Sequence, residues 1–409
     1  MRRLIGSAAL AAWGLAVLTP AFADDDASPD RERGSDEPFA IALYGDAPYG
    51  CKSADCPSGY RPDTAAGPNP GDPRQIDATP AFVDAVNADP TVRLVIHTGD
   101  IHSGSQYCTL AYNRTVQNLW KRFNDPLVYA PGDNEWADCH KSGEGGVANL
   151  TGPFVDYANG NPVANLALVR SMFFATAGET LGKRKKRVTS QAFAYDGAYP
   201  TDAEYVENVM WQQSGVMFVT VNIPGGSNND DDKWYGLDKT GAQLQEVAQR
   251  TAADLRWLDA AFKKAKADGA KAVVIVEQAD MWDLDGKPAA HIANYEPFID
   301  SIAANATAFG KPVLLINGDS HNYRSDNPLK AAQPCTIESG ASVGACSDDA
   351  WQTHSPSRNY DVASSNFHRL VVHGSTFPLE YLRLTVDPRA NNVASDSAFG
   401  PFSWERVNP

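Results

Sequence analysis

Short apolar runs recur along this chain, and the stretches between them carry apolar positions at helical spacing. Residues 39–44, 92–98, 126–131, 216–223, 272–276 and 313–317 read as strands. Residues 76–88, 110–123, 164–175, 241–268 and 297–308 read as helices, the fourth burying Trp257, Leu258, Ala261 and Phe262. The tail from 367 to 404 alternates in the manner of antiparallel strands, through 369–372 and then 381–386. Strands and helices in alternation, closed by an antiparallel tail, predict an α/β fold with mixed sheets. Residues 39–409 contain no internal repeat and no Pro/Gly/Ser linker between separate cores, so a single large domain is expected.

Four of the strand-like runs end in Gly-Asp, at Gly45-Asp46, Gly99-Asp100, Gly132-Asp133 and Gly318-Asp319. In open α/β sheets the residues just past the carboxyl ends of strands line the ligand crevice. Glycine there permits a sharp turn and a close approach. Four carboxylates on one rim repel one another and resist ionising together unless a cation neutralises them. The pattern therefore predicts a metal site built on a sheet edge.

The beginning of the chain predicts where this chemistry takes place. Arg2 and Arg3 precede an apolar stretch from Leu4 to Leu18, and Ala21-Phe22-Ala23 follows. This is the pattern of a secretory signal peptide, residues 1–23, cleaved after Ala23. Its apolar core is short for a membrane span, which needs roughly 20 residues. Residues 24–38 are polar, charged and without periodicity, and read as a disordered lead-in. No later segment is apolar for long enough to cross a bilayer, so an exported protein, periplasmic or secreted, is expected.

Six cysteines suit an oxidising compartment, where fifteen pairings are open to them. Local closure favours Cys51–Cys56 and Cys335–Cys346 and leaves Cys108–Cys139 to tie two rim loops together. A zinc cluster is the weaker reading, since no C-x-x-C pair occurs. The formal charge is −15, and loss of the leader removes two arginines and no acid, giving −17. Such a chain repels nucleic acid and anionic lipid, and neither is an expected partner. The sequence leaves the oligomeric state open.

The order of these motifs resembles that of the calcineurin-like metallophosphoesterases, which include the purple acid phosphatases. That family carries D-x-H or D-x-G, then G-D, then G-N-H-E/D, then a histidine after an apolar strand, then G-H-x-H. This chain offers Asp46-Ala47-Pro48, Gly99-Asp100, Gly132-Asp133-Asn134-Glu135, Gln278 and Gly318-Asp319-Ser320-His321. It looks closest to an exported bacterial branch with the signature Pro131-Gly132-Asp133-Asn134-Glu135-Trp136, followed by Asp138-Cys139-His140. The resemblance implies a four-layer αββα sandwich of two mixed sheets flanked by helices. It also implies two divalent metal ions and hydrolysis of phosphate mono- or diesters by a metal-activated water, with a small phosphorylated molecule as the partner.

By the family pattern one metal falls to Asp46, the bridging Asp100 and His321, and the other to Asp100, Asp133, Gln278 and Asp319. Pro48, Asp133, Gln278 and Asp319 replace residues that are nitrogen or amide ligands in the family. Carboxylate and amide oxygens shift preference toward hard cations such as manganese, magnesium or calcium. Asn134 stands where the family has its histidine proton donor, and it can still hydrogen-bond a phosphoryl oxygen. His140 and His102 are the candidates for the vacated acid role. Glu135 is expected to buttress the ligands, and Asn228 and Asn229 to lie at the pocket rim. The alternative is a non-catalytic secreted protein that binds metal or a phosphoryl ligand on the same scaffold.

Overall fold

The structure, a computed structural model, describes residues 37–50, 74–104, 106–144, 157–229, 232–283, 289–330, 335–339, 342–345, 366–375 and 379–409. The expected leader, nearly all of the lead-in, and Cys51, Cys56 and Cys346 lie outside these residues. The strands in chain order are β1 (Phe39–Tyr44), β2 (Val92–His97), β3 (Leu127–Tyr129), β4 (Thr189–Ser190), β5 (Val209–Gln213), β6 (Val216–Thr220), β7 (Ala272–Val276), β8 (Val313–Asn317), β9 (Arg324–Asp326), β10 (Thr336–Ser339), β11 (Ser342–Ala345), β12 (Phe367–Val371), β13 (Tyr381–Val386), β14 (Ala398–Phe399) and β15 (Phe402–Val407). The helices are α1 (Gln75–Ala88), α2 (Leu110–Trp120), α3 (Pro162–Phe173), the short turn α4 (Gly225–Asn229), α5 (Gly241–Ala267) and α6 (Glu296–Phe309).

Two sheets form, and both are mixed. The first runs β14-β15-β13-β1-β2-β3, with β1, β2 and β3 parallel and β13 antiparallel to β1. The second runs β11-β10-β9-β12-β8-β7-β6-β5-β4, with β12, β8, β7 and β6 parallel. The two-residue period of a strand sorts their side chains into layers. Phe39, Ile41 and Leu43 of β1 meet Val274, Val276, Leu314 and Ile316 of β7 and β8 in the core between the sheets. Ala40, Ala42 and Tyr44 face the other way, into a core with Phe82, Val83, Val116 and Val169 of α1, α2 and α3. On the far side, Val273, Ile275, Val313 and Leu315 pack against Trp257, Leu258 and Phe262 of α5 and Phe298, Ile299 and Ile302 of α6. The result is helix, sheet, sheet, helix, the expected four layers.

Helix starts follow their local chemistry. Thr109, Asn161 and Thr240 each accept a hydrogen bond from the backbone N–H three residues on, capping α2, α3 and α5. Gly310 ends α6 in the left-handed conformation.

The tail departs from its expected pairing. Strand β12 lies parallel to β8 in the second sheet and antiparallel to β9, whereas β13 and β15 belong to the first sheet. Alternation reports which face of a strand is buried but not which neighbour it pairs with. Cys108 and Cys139 are joined by a disulfide, and Cys335 is disulfide-bonded as well. Among the described residues no helix is long and apolar enough to cross a membrane.

Candidate metal centre

The parallel strands of both sheets end together, and four carboxylates project from those ends. Asp46 follows β1, Asp100 follows β2, Asp133 follows β3 and Asp319 follows β8. Asp46, Asp100, Asp319 and His321 all have positive φ, at 49°, 57°, 75° and 61°. For residues other than glycine such conformations cost about 1–3 kcal/mol each and cluster at functional sites. The turns place the chain in close contact with itself. A Cβ at Gly132 would overlap the Asp100 carboxylate, so only glycine fits there.

One oxygen from each of Asp100, Asp133 and Asp319 can be chosen so that all three lie within 4.8 Å of one another. These three residues could hold a metal ion. Asp46 sits beside them, its Oδ1 accepting the Asp319 N–H at 3.0 Å and lying 3.5 Å from His321 Nε2. The Tyr49 hydroxyl is 3.1 Å from the same His321 nitrogen. Gln278, just past β7, donates its NH2 to Asp133 Oδ1 at 2.9 Å and Asp100 Oδ2 at 3.2 Å, while its Oε1 accepts the Gly225 N–H at 2.6 Å.

Several residues without an assigned role in the sequence hold this array. His97, the last residue of β2, is fully buried; its Nδ1 accepts the Gly99 N–H at 3.1 Å, so its Nε2–H donates to the Ala47 carbonyl at 2.6 Å. It therefore ties the Asp46 turn to the Asp100 turn. Its only sequence signal is a histidine closing an apolar strand directly before Thr-Gly-Asp. Asp280 donates its N–H to Asp319 Oδ2 at 3.0 Å and accepts the Ser320 hydroxyl at 2.9 Å. Arg369 of β12 is buried and binds Asp280 at 2.5 Å and both oxygens of Asp326 at 2.8 and 2.7 Å.

Burial and mutual repulsion raise the pKa of these acids. Loss of hydration pushes Asp100 well above the ordinary carboxylate range, and the charges of Asp133, Glu135, Asp46 and Asp319 push it further. Asp46 and Asp319 rise well above that range for the same two reasons. Asp133 rises to about 7, mainly through burial, with Lys141 pulling against it. A cation is the natural partner of such a set, since it offsets the repulsion that holds the acids protonated. The donors fit a divalent metal rich in oxygen ligands.

The remaining expected residues are placed as follows. The Glu135 carboxylate accepts the N–H groups of Gly132 at 2.5 Å and Ile101 at 3.3 Å and the Tyr129 hydroxyl, joining the ends of β2 and β3. The Asn134 N–H points to Asp100 Oδ1 at 3.3 Å. Buried His102 packs edge-on to Tyr112, its Nδ1 3.2 Å from the Ser103 carbonyl. His140 accepts the Tyr235 N–H at 3.1 Å and packs edge-on to that ring, with burial pushing its pKa down. Asn228 and Asn229, expected at the rim, are instead buried against α5. Asn228 binds Arg250 at 2.5 Å and Thr251 at 2.9 Å, and Asn229 binds Glu246 at 2.9 Å. The left-handed turn that carries them aims their amides inward. Cys108 and Cys139 lie with Glu144 in another cluster, but the disulfide removes both thiolates as ligands.

A four-layer sandwich with acids gathered at the strand ends of both sheets is the frame of a metallophosphoesterase. Residues 45–276 match the family model for the calcineurin-like phosphoesterases, more than half of the chain, and the chain belongs to that family. Membership supports phosphoesterase activity in general, at a centre that in the family is dinuclear. No curated protein sequence matches the chain. Among solved structures it is similar to the purple acid phosphatase PPD1 from yellow lupin (Lupinus luteus) seeds, at 10% identity and a TM-score of 0.40, covering 91% of this chain and 52% of that one. It is also similar to GAP50, the anchor in the inner membrane complex of Plasmodium, at 10% identity and a TM-score of 0.37, covering 90% of this chain and 78% of that one.

Proposed function

We propose that this chain is an exported, metal-dependent hydrolase of phosphate mono- or diesters. The observation that carries the reading is the gathering of Asp100, Asp133 and Asp319, from three separate strand ends, into one cluster in which Asp100 and Asp133 are buried and Asp319 half-buried. Its all-carboxylate character favours hard divalent cations, manganese, magnesium or calcium. The Cys108–Cys139 disulfide supports export, because such bonds persist in oxidising compartments.

Asp100, Asp133 and Asp319 would hold a divalent cation, which supplies Lewis-acid polarisation of a phosphoryl oxygen and activation of water when bound. The protein's own contribution is to keep these acids in place before substrate arrives. Glu135 and His97 fix the turns of the first sheet, while Asp280 and Arg369 fix Asp319 on the second. Asn134 lies beside Asp100 and can offer only a neutral hydrogen bond to a phosphoryl oxygen.

The test is to strip the purified protein of metal and add back manganese, magnesium, calcium or zinc. Thermal stability is then read together with hydrolysis of an aryl phosphate and a bis-aryl phosphate. Activity restored by manganese or magnesium, and abolished by Asp100→Asn, is expected. Stabilisation by metal without hydrolysis of any ester would favour a binding protein on the same scaffold. A protein indifferent to every metal would sink the reading.

A further inference from the structure

We infer that the chain holds a single divalent cation between the carboxylates of Asp100, Asp133 and Asp319, an all-oxygen site in which Gln278 positions two ligands and ligates nothing itself, and from which His321 is absent. The inference rests on reading this cluster as a metal centre, and it departs from the two-ion arrangement of the family.

The orientation of Gln278 follows from one partner whose chemistry is unambiguous. The Gly225 N–H can only donate, and it lies 2.6 Å from the side-chain amide. The atom facing it must therefore be the carbonyl oxygen, and the NH2 must face Asp133 Oδ1 and Asp100 Oδ2. Turning the amide to offer its oxygen to a metal would set two donors against each other at Gly225. It would also leave a buried backbone N–H without an acceptor, which is costly.

Gly225 is not free to give way. It opens a turn in which Gly226, Ser227, Asn228 and Asn229 all have positive φ, between 58° and 61°. Successive left-handed residues are costly unless side chains compel them. Here Arg250, fully buried, grips Asn228 through both its side chain at 2.5 Å and its carbonyl at 3.0 Å. Gln243 donates to the Asn229 carbonyl at 3.1 Å, and the Trp234 indole donates to the Asn229 side chain at 3.1 Å. Any side chain at Gly225 would bring a Cβ to 2.6 Å from Asp133 Oδ2. The turn is thus held from α5 and pressed against the carboxylate that Gln278 binds.

The other side of the cluster is engaged in a different way. Asp46 Oδ1 already accepts the Asp319 N–H, while Asp46 Oδ2 is buried without a hydrogen-bond partner and enclosed by Gly318 and Gly374, where any Cβ would come within 2.6 Å of it. His321 turns its Nε2 to Tyr49 and Asp46, and its side chain is 44% exposed. The three remaining carboxylates suffice for one cation, with Gln278 spacing two of them and easing their repulsion.

Manganese binding to the whole metal-stripped protein tests this directly. Expected are one equivalent by isothermal titration, an electron paramagnetic resonance spectrum of an isolated Mn(II) ion, and no modulation from a coordinated imidazole nitrogen. Gln278→Ala should weaken binding by ten- to a hundredfold with stoichiometry still one, whereas His321→Ala should shift affinity less than threefold. Two equivalents with a spin-coupled spectrum would overturn the inference, and so would nitrogen modulation that vanishes in His321→Ala. Both results would leave the metal-dependent reading intact. No manganese binding at all would remove both.

Discussion

Asn134 directly follows Asp133, and its backbone N–H lies 3.3 Å from Asp100 Oδ1. A carboxamide has no acidic proton to pass to a departing alkoxide, so on the proposed hydrolase reading Asn134 would give the leaving group little help. Rates should then fall steeply as leaving-group pKa rises, with aryl phosphates hydrolysed at least about 100-fold faster than alkyl phosphates. A series of substituted phenyl and alkyl esters measures this, and equal rates would refute it. Asn134→His should raise alkyl ester rates about tenfold or more while changing aryl rates little, since proton donation is worth roughly 100-fold or more where it is needed.

At this scale the sequence was legible where the signal is local. Glycine before aspartate at a strand end marks a turn that can approach a ligand, and all four such aspartates do gather. The orientation of Gln278 was hidden because it depends on a backbone N–H 53 residues earlier. His97 was hidden for a similar reason, since both of its partners are main-chain atoms. The inward-facing amides of Asn228 and Asn229 follow from left-handed φ values that their residue types permit but do not announce.

Among the elements, β12 links the outer part of the second sheet to the centre. Its Arg369 lies under Trp282, 5.1 Å from the ring centroid, and neutralises Asp280 and Asp326, all three buried. Arg369→Met keeps most of the packing but leaves two buried carboxylates without their cation. Breaking a buried ion pair in this way costs about 3–5 kcal/mol. Urea unfolding should show a loss of that size, and metal affinity should fall as well, because Asp280 holds Asp319. Retention of both would show that Arg369 only fills space. The pairing of β12 was not readable from the tail, whose alternation is equally compatible with either sheet. The apolar runs of β1, β7 and β8 were readable to the residue, because strands packed on both faces leave no polar interruption.

For the whole molecule, the carboxylates and the buried histidines respond to pH in opposite directions. Burial pushes His97 down to about 3 and His368 down to about 4. Their contribution to stability is present above the unfolded value near 6.5 and is lost as pH falls toward those numbers. Asp46, Asp100, Asp133 and Asp319 have folded pKa values raised above the unfolded range, Asp133 to about 7. The metal-free folded state therefore binds more protons than the unfolded state, and its stability falls as pH rises from about 4 through 7. Four acids outweigh two histidines, and above pH 6.5 the histidines are neutral in both states and add nothing to the slope. The chelated protein should thus be less stable at pH 7.5 than at pH 6.5, by on the order of 1 kcal/mol for each acid that is still titrating. A saturating divalent cation should abolish that loss. Denaturant unfolding at the two pH values, with and without manganese, checks both signs.

The acids of the centre come from distant parts of the chain, with Asp46 and the Asp319 N–H that it accepts separated by 273 residues. A growing polypeptide would have Asp46, Asp100 and Asp133 in place long before Asp319 emerged, and the cluster would remain incomplete through most of synthesis. A cation held by Asp100, Asp133 and Asp319 together would therefore select chains whose two sheets have already come together, acting as a mark of completion rather than as a seed.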